Sequence, residues 1–273
     1  MKPRAIVLVI MFMASASVMA QHKLEYKSSG GVPLHYKAHT LLGTTQSMMG
    51  QESTAQIVSD QSMTVSSTKS GDELVFDITV DSSNNKTILS TGDTTQTPSP
   101  AVGKTKETHI HPDGEEISSK WLDTTFANSQ AGQLRDLGNF FFKLPAEEVS
   151  SGSTWNQKKD DTVLTPGGQG QILVNTDTDY KLTGEEEIDG VTCAKIEYTG
   201  KVKLKGAATI QGMDLAIDGG GTVTGTAYFD YGNGRVVKVS GDSNQNIVMA
   251  TSGENAMTIP MTQKTNYSLF LVR

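Results

Sequence analysis

The chain reads as a mainly β protein, with long, curved antiparallel strands that form an open barrel or sandwich and a short helical insert near residues 120–143. Three observations predict this. Thr, Ser, Gly and Val are abundant and only 8 prolines occur in 273 residues, a composition that favours strands and turns over helices. Several runs alternate apolar and polar residues with period two, the mark of a sheet with one buried and one wet face. Turn signals bearing Gly, Asn or Asp separate those runs.

Taken in order, the first twenty residues read as an export signal. Lys2 and Arg4 form a basic n-region, Ala5 to Met13 an apolar core too short to anchor in a bilayer, and Val18-Met19-Ala20 a small-x-small end. Cleavage is expected before Gln21. No cysteine follows the cut, so the usual bacterial lipid anchor is not expected, and no later stretch is long and apolar enough for a transmembrane helix. The expected localisation is periplasmic or secreted. Losing Lys2 and Arg4 takes the formal charge from −7 to −9. Without a basic run, this acidic chain is not expected to bind nucleic acid or to adhere to anionic lipid through a polybasic surface. Cys193 is the single cysteine, so no internal disulfide can form and burial must hold the domain together. Its strand-like setting, GVTCAKIEY, suits a small buried apolar residue.

In ELVFDITV, Leu74, Phe76, Ile78 and Val80 share a face. In TVTGTAYFD, Val223, Ala227 and Phe229 do. In IPMTQKTNYSLFLV, Ile259, Met261, Tyr267, Leu269 and Leu271 do. The run Thr91 to Lys106, polar with two prolines, reads as a long mobile loop. From Ser119 to Lys143 the pattern changes. Leu134, Leu137 and Phe141 sit at i, i+3 and i+7, which predicts one or two short helices capped by Asn128 or Ser129 and stopped by Pro145. That insert is the natural boundary between an N-terminal half (21–143) and a C-terminal half (144–273). Each half carries a late Gly-bearing turn, HPDGEEI and YGNGRVV, which is a weak sign of internal repetition.

Motifs that carry chemistry are sparse. His109 and His111 in THIHPDGEEI share a strand face about 6–7 Å apart, and with Glu107, Asp113, His35 or His39 a Zn²⁺ or Cu²⁺ site can be drawn. Pro112-Asp113-Gly114 is a turn in its own right, so the preferred reading is a hairpin with no metal. NTDTDYKLTGEE places Asn175, Asp177, Asp179 and Glu186 at calcium-loop spacing, but Tyr180 stands where the sharp turn needs Gly, and a solvated strand face is the better reading. DGGGTVTG (218–225) lacks the Lys-Ser/Thr of a phosphate loop and reads as a turn, a bulge or a sharply curved strand. No G-x-S-x-G or H-E-x-x-H occurs. Catalytic and cofactor residues are therefore not expected.

Four stretches appear in order: LEYKSSGGVPLHY, FFKLPAEEVSSGSTW, YKLTGEEEIDGVTCAKIEYTG and GTAYFDYGNGRVVKVSGD. In this the chain resembles a group of uncharacterised exported β-rich domains of Gram-negative bacteria, many of them lipoproteins. The resemblance brings no activity and no site residue. A more distant likeness, at the level of fold, is to periplasmic half-barrel lipid carriers. The expected function is a non-enzymatic exported binding module for a hydrophobic small molecule or lipid. Its lining would come from the insert: Trp121, Phe126, Leu134, Leu137, Phe140, Phe141 and Phe142. The alternative is an envelope structural or protein-interaction module with no small ligand.

Overall fold

A computed structural model describes residues 21–129, 140–164, 170–210, 213–251 and 256–272. Twelve strands form one antiparallel sheet. They are β1 (Leu34–Met48), β2 (Gln51–Ser70), β3 (Glu73–Leu89), β4 (Thr94–Pro98), β5 (Thr105–Ile110), β6 (Glu116–Trp121), β7 (Thr154–Leu164), β8 (Gly170–Ile188), β9 (Val191–Ile210), β10 (Met213–Asp230), β11 (Arg235–Thr251) and β12 (Thr258–Val272). β2 and β9 each have 20 residues, so they run about 60–65 Å at about 3.3 Å per residue. The alternation read from the sequence holds: Leu74, Phe76, Val80, Ala227, Phe229, Leu269 and Leu271 are all buried.

Spatial order follows chain order, outward from β1 to β6 on one flank and from β12 back to β7 on the other, with β1 pairing β12. The two flanks are thus parts of one sheet, and a single apolar cluster draws on both. Among the described residues, β6 and β7 stand at the two ends of this order and share no ladder. Because β4 and β5 both pair with β3, the twelve strands fill eleven positions. An up-and-down sheet with an odd number of positions ends on two edges that run the same way, so antiparallel closure is not available. A salt bridge of 3.5 Å between Lys159 on β7 and Glu116 on β6 spans the seam instead.

The polar run 91–106 is not all loop. β4 lies inside it and pairs with Asn84–Ile88 of β3. Ladder hydrogen bonds need no apolar side chain, which is why a Thr-rich edge strand gave no period-two signal. The helix expected after Asn128 or Ser129 falls largely on residues 130–139, outside the described residues; what is described of the expected insert lies on either side of them. Residues 116–121 belong to β6, and α1 (Thr124–Ala127) is N-capped by Asp123, whose carboxylate accepts from Phe126 N at 2.8 Å. Asn128 stands at the C-terminal end of α1, not at its start. Leu134 and Leu137 lie outside the described residues. Phe140 to Lys143 run as extended chain.

The glycine-rich stretch 218–225 is not a turn: it lies inside β10 and pairs with both β9 and β11. A Cβ on Gly219 would come 2.7 Å from Asn246 O of the neighbouring strand, and one on Gly220 2.6 Å from Val202 O. Glycines there let the neighbouring strands approach without side-chain collision.

Two extended segments cross one end of the sheet and cap it. Tyr26 N donates to Pro112 O at 2.7 Å and Lys27 N to Gly234 O at 3.0 Å, so residues 24–27 form a strap from the β5–β6 turn to the β10–β11 turn. Leu144 N donates to Asp113 O at 2.7 Å, Trp155 Nε1 to Lys143 O at 2.8 Å, and His22 bridges Val149. Gly234, at φ +63°, lies directly under the strap: a Cβ there would meet Lys27 N at 2.5 Å and Glu25 O at 2.6 Å.

Candidate functional site

Beneath the strap lies a cavity of about 310 Å³. Its inner wall comes from the buried faces of β1, β2 and β3, through Tyr36, Val65 and Phe76, and from Phe140 and Phe141 of the insert. The rings interlock. Tyr36 and Phe140 meet edge-on at 4.7 Å between centroids, Phe76 and Phe141 at 4.6 Å, and Tyr26 and Phe141 edge-on at 5.4 Å. The Tyr36 hydroxyl donates to Val236 O at 2.8 Å and the Tyr26 hydroxyl accepts from Phe142 N at 3.1 Å. Burial pushes both phenols well above their ordinary pKa, so they stay neutral. The inner wall therefore presents apolar surface and satisfied hydroxyls.

The rim is polar. Lys27, Ser28, Ser29, Ser67, Asn233 and Arg235 line it. Ser28 Oγ donates to Ser67 O and Ser29 N to Ser67 Oγ, both at 2.8 Å, which ties the strap to β2. Behind the rim Asp230 is 2% exposed. It accepts from Asn233 N at 3.0 Å, Asn233 Nδ2 at 2.7 Å and Arg235 Nε at 3.3 Å. A buried carboxylate with three donors, one of them cationic, is compensated in place.

The residues nominated from sequence do not form one surface. Phe140 and Phe141 reach the cavity. Phe142 packs among Tyr26, Tyr180 and Phe229 instead. Trp121 and Phe126 pair edge-on at 4.9 Å beside Lys106 and do not line the cavity. Tyr36, Val65 and Arg235 were not nominated. Tyr36 lies in PLHYKAH, where the histidines occupy the opposite face. His35 and His39 point outward there, His35 to Thr64 at 3.0 Å and His39 to Asp60 at 2.7 Å.

His109 and His111 do not converge on one point. His109 sits between Glu73 at 3.0 Å and Glu107 at 3.4 Å, and the Glu73 contact holds its pKa above the ordinary imidazole value. His111 belongs to the turn, where its O accepts from Gly114 N at 2.8 Å and its N donates to Glu115 O at 2.9 Å. No group of three or more metal-ligating side chains occurs among the described residues. Asp177 and Asp179 project outward from β8, where Asn156 bridges them at 2.7 and 2.9 Å.

A second feature escaped the sequence altogether. One cross-strand row runs through Trp155, Tyr180, Tyr198, Gly225, Gly241, Tyr267, Thr40, Ser59 and Asn85, each directly opposite the next. Trp155 stacks on Tyr180 at 5.6 Å. The Tyr198 hydroxyl lies over Gly225 and Gly241 and meets the Tyr267 hydroxyl. The row separates the capped core from the rest of the trough.

No protein-family model matches this chain, and no curated protein does. Among solved structures, OmpF of Salmonella typhi in complex with daunomycin aligns over 90% of this chain and 100% of its own, at 6% identity and a TM-score of 0.26. An outer membrane channel from Pseudomonas putida F1 aligns over 90% and 97%, at 8% identity and a TM-score of 0.20. Scores this low carry no argument about fold or role. The outer face of the sheet has its own chemistry. On β9 it presents Lys195, Glu197, Thr199, Lys201, Lys203 and Lys205, and on β10 Asp218, Thr222, Thr224 and Thr226. A barrel that faces lipid carries an apolar outer band; these strands carry charge. No helix among the described residues is long and apolar enough to cross a membrane.

Proposed function

We propose that this protein is an exported, non-enzymatic binding module that holds a hydrophobic small molecule or the apolar tail of a lipid under its N-terminal strap. The observation that carries this is the cavity of about 310 Å³ walled by Tyr36, Val65, Phe76, Phe140 and Phe141. It falls at the lower end of the range for small-molecule sites, about 300–1,000 Å³, and has their pattern of apolar wall and polar rim. The charged outer face of β9 supports a soluble form, and the signal-like first twenty residues support delivery to the periplasm or beyond. Among the described residues no activated nucleophile or general base faces the cavity, which supports binding over catalysis.

The test is native mass spectrometry of residues 21–273 after export from a Gram-negative host. A bound mass of several hundred daltons, lost in Val65→Phe while the circular dichroism spectrum is kept, is the expected result. A bare polypeptide that no apolar probe stabilises against heat would remove the proposal. A second reading, an envelope interaction module without a small ligand, is favoured by the edges of β6 and β7, each unpaired on its outer side among the described residues. Inward-facing Lys159 and Asp161 on β7 weigh against it, because charges turned inward discourage strand addition. Capture of a protein partner that survives in a variant with Lys159 and Asp161 both changed to Pro would count against edge pairing.

A further inference from the structure

We infer that the molecule held under the strap carries a carboxylate, and that Arg235 is its anchor. The inference rests on the proposed cavity and names the chemistry of its ligand. Arg235 lines the cavity at its rim, at the start of β11. Its Nε donates to the buried Asp230 at 3.3 Å, and among the described residues its two Nη groups have no partner. Asp230 is itself held by Asn233 at the backbone and the side chain. One edge of the guanidinium is thus fixed from behind, and the other edge is left with N–H donors.

That arrangement suits a planar, bidentate acceptor. A guanidinium matches a carboxylate through two parallel N–H···O bonds, and a site whose donors are already oriented loses less freedom on binding. Charge points the same way. Of the described residues that line the cavity, Lys27 and Arg235 are cationic and none is anionic. Asp230 behind them offsets one charge, so the rim keeps one positive charge for a monoanion. Lys27 already donates to Tyr231 O and Gly232 O, both at 3.2 Å, and acts as a fixed neighbouring charge. The ligand class is therefore a monocarboxylic amphiphile. Its head lies at Arg235 and its chain lies against Phe76, Phe140 and Phe141.

The experiment compares decanoate with decanol, which has the same chain and no charge, by titration calorimetry on residues 21–273. Decanoate is expected to bind about ten- to hundred-fold more tightly than decanol, as for hydrogen bonds to a charged group. Arg235→Met is expected to abolish that preference and leave decanol binding unchanged. Because Arg235→Met also strips the partner from Asp230, the double variant Asp230→Asn/Arg235→Met keeps the test interpretable if the single variant does not fold. Shortening decanoate to octanoate should weaken binding about four-fold per methylene. Equal affinity for decanoate and decanol would overturn the carboxylate inference and leave the apolar cavity standing. Binding of neither would overturn both. Binding of decanoate that persists in the Arg235 variants would move the head group elsewhere and overturn the assignment of Arg235.

Discussion

The same strands build two different interiors. Toward the capped end the concave face carries Tyr36, Phe76, Ile196, Phe229 and Val239, all buried in one cluster that the strap and the insert complete. Past the row of Tyr198 and Tyr267 the face continues as Gly200, Val223, Ser243 and Thr265, then Val202, Gly221, Gln245 and Gln263. Near the far end it becomes apolar again, but only as a small group of Ala208, Ile217 and Ile247 with half-buried neighbours. The difference teaches that alternation makes a strand, whereas a core also needs something laid across the concavity. Among the described residues, the capped end has it.

The largest effect should come from a large-to-small change at the capped end. Phe229 is fully buried between Tyr26 and Phe142, so Phe229→Ala should cost about 3–5 kcal/mol. Ile247→Ala in the far group has fewer buried neighbours to leave behind, and should cost about 2 kcal/mol, the lower bound of its class. Urea unfolding of both variants would check this. Equal losses would mean that the far group is as well packed as the capped core.

Next comes the boundary between the two interiors. Gly225→Ala would push a methyl group into the Tyr198 ring. The expected loss is about 1–3 kcal/mol, and a neutral result would show that the Tyr198–Tyr267 pair is not held at this row. Tyrosine fluorescence in the same samples would report whether the pair separates.

The smallest effect concerns the insert's fastening. Lys143 contacts Asp113 at 2.7 Å and Glu115 at 2.8 Å on the β5–β6 turn. Burial pulls the Asp113 carboxyl upward, but Lys143 and the Glu115 N–H outweigh it and hold the pKa below the ordinary 3.8. Burial likewise opposes the Lys143 charge, and its two carboxylate partners outweigh that, raising it above 10.5. A depressed carboxyl contributes stability above its unfolded value and loses it as pH falls through the folded one. A raised ammonium contributes below its unfolded value and loses it as pH rises through the folded one. The pair's contribution, about 1 kcal/mol or less at this exposure, should therefore span about pH 4 to 10. Lys143→Met should lower Tm within that window and converge with the parent as pH falls below the ordinary Asp value of 3.8 and through the folded one. A constant offset across all pH would assign the loss to packing.

Much of the molecule was legible as local pattern. Leu74, Phe76, Val80 and Phe229 declared their buried face because side chains alternate along any strand. Asp177, Asp179 and their neighbours declared a wet one. The Thr-rich β4 was not legible, since its pairing rests on backbone groups that every residue shares. Phe140 and Phe141 were found as apolar residues of the insert, but their service to a cavity depends on Tyr36, Val65 and Phe76, which come from three distant strands. Trp121 and Phe126 looked equivalent to them and are not, because β6 and α1 carry that pair elsewhere.

By itself, then, the sequence determined what each strand offers to its two faces and where the turns fall, since both are set by neighbours within a few residues. Register, parity and cover were decided only in three dimensions. Register set Tyr198 opposite Gly225, parity left β6 and β7 running the same way, and the strap at Gly234 chose which end of the trough would close. Each depends on backbone hydrogen bonds between segments far apart in the chain, and those bonds leave no mark on the side chains that form them.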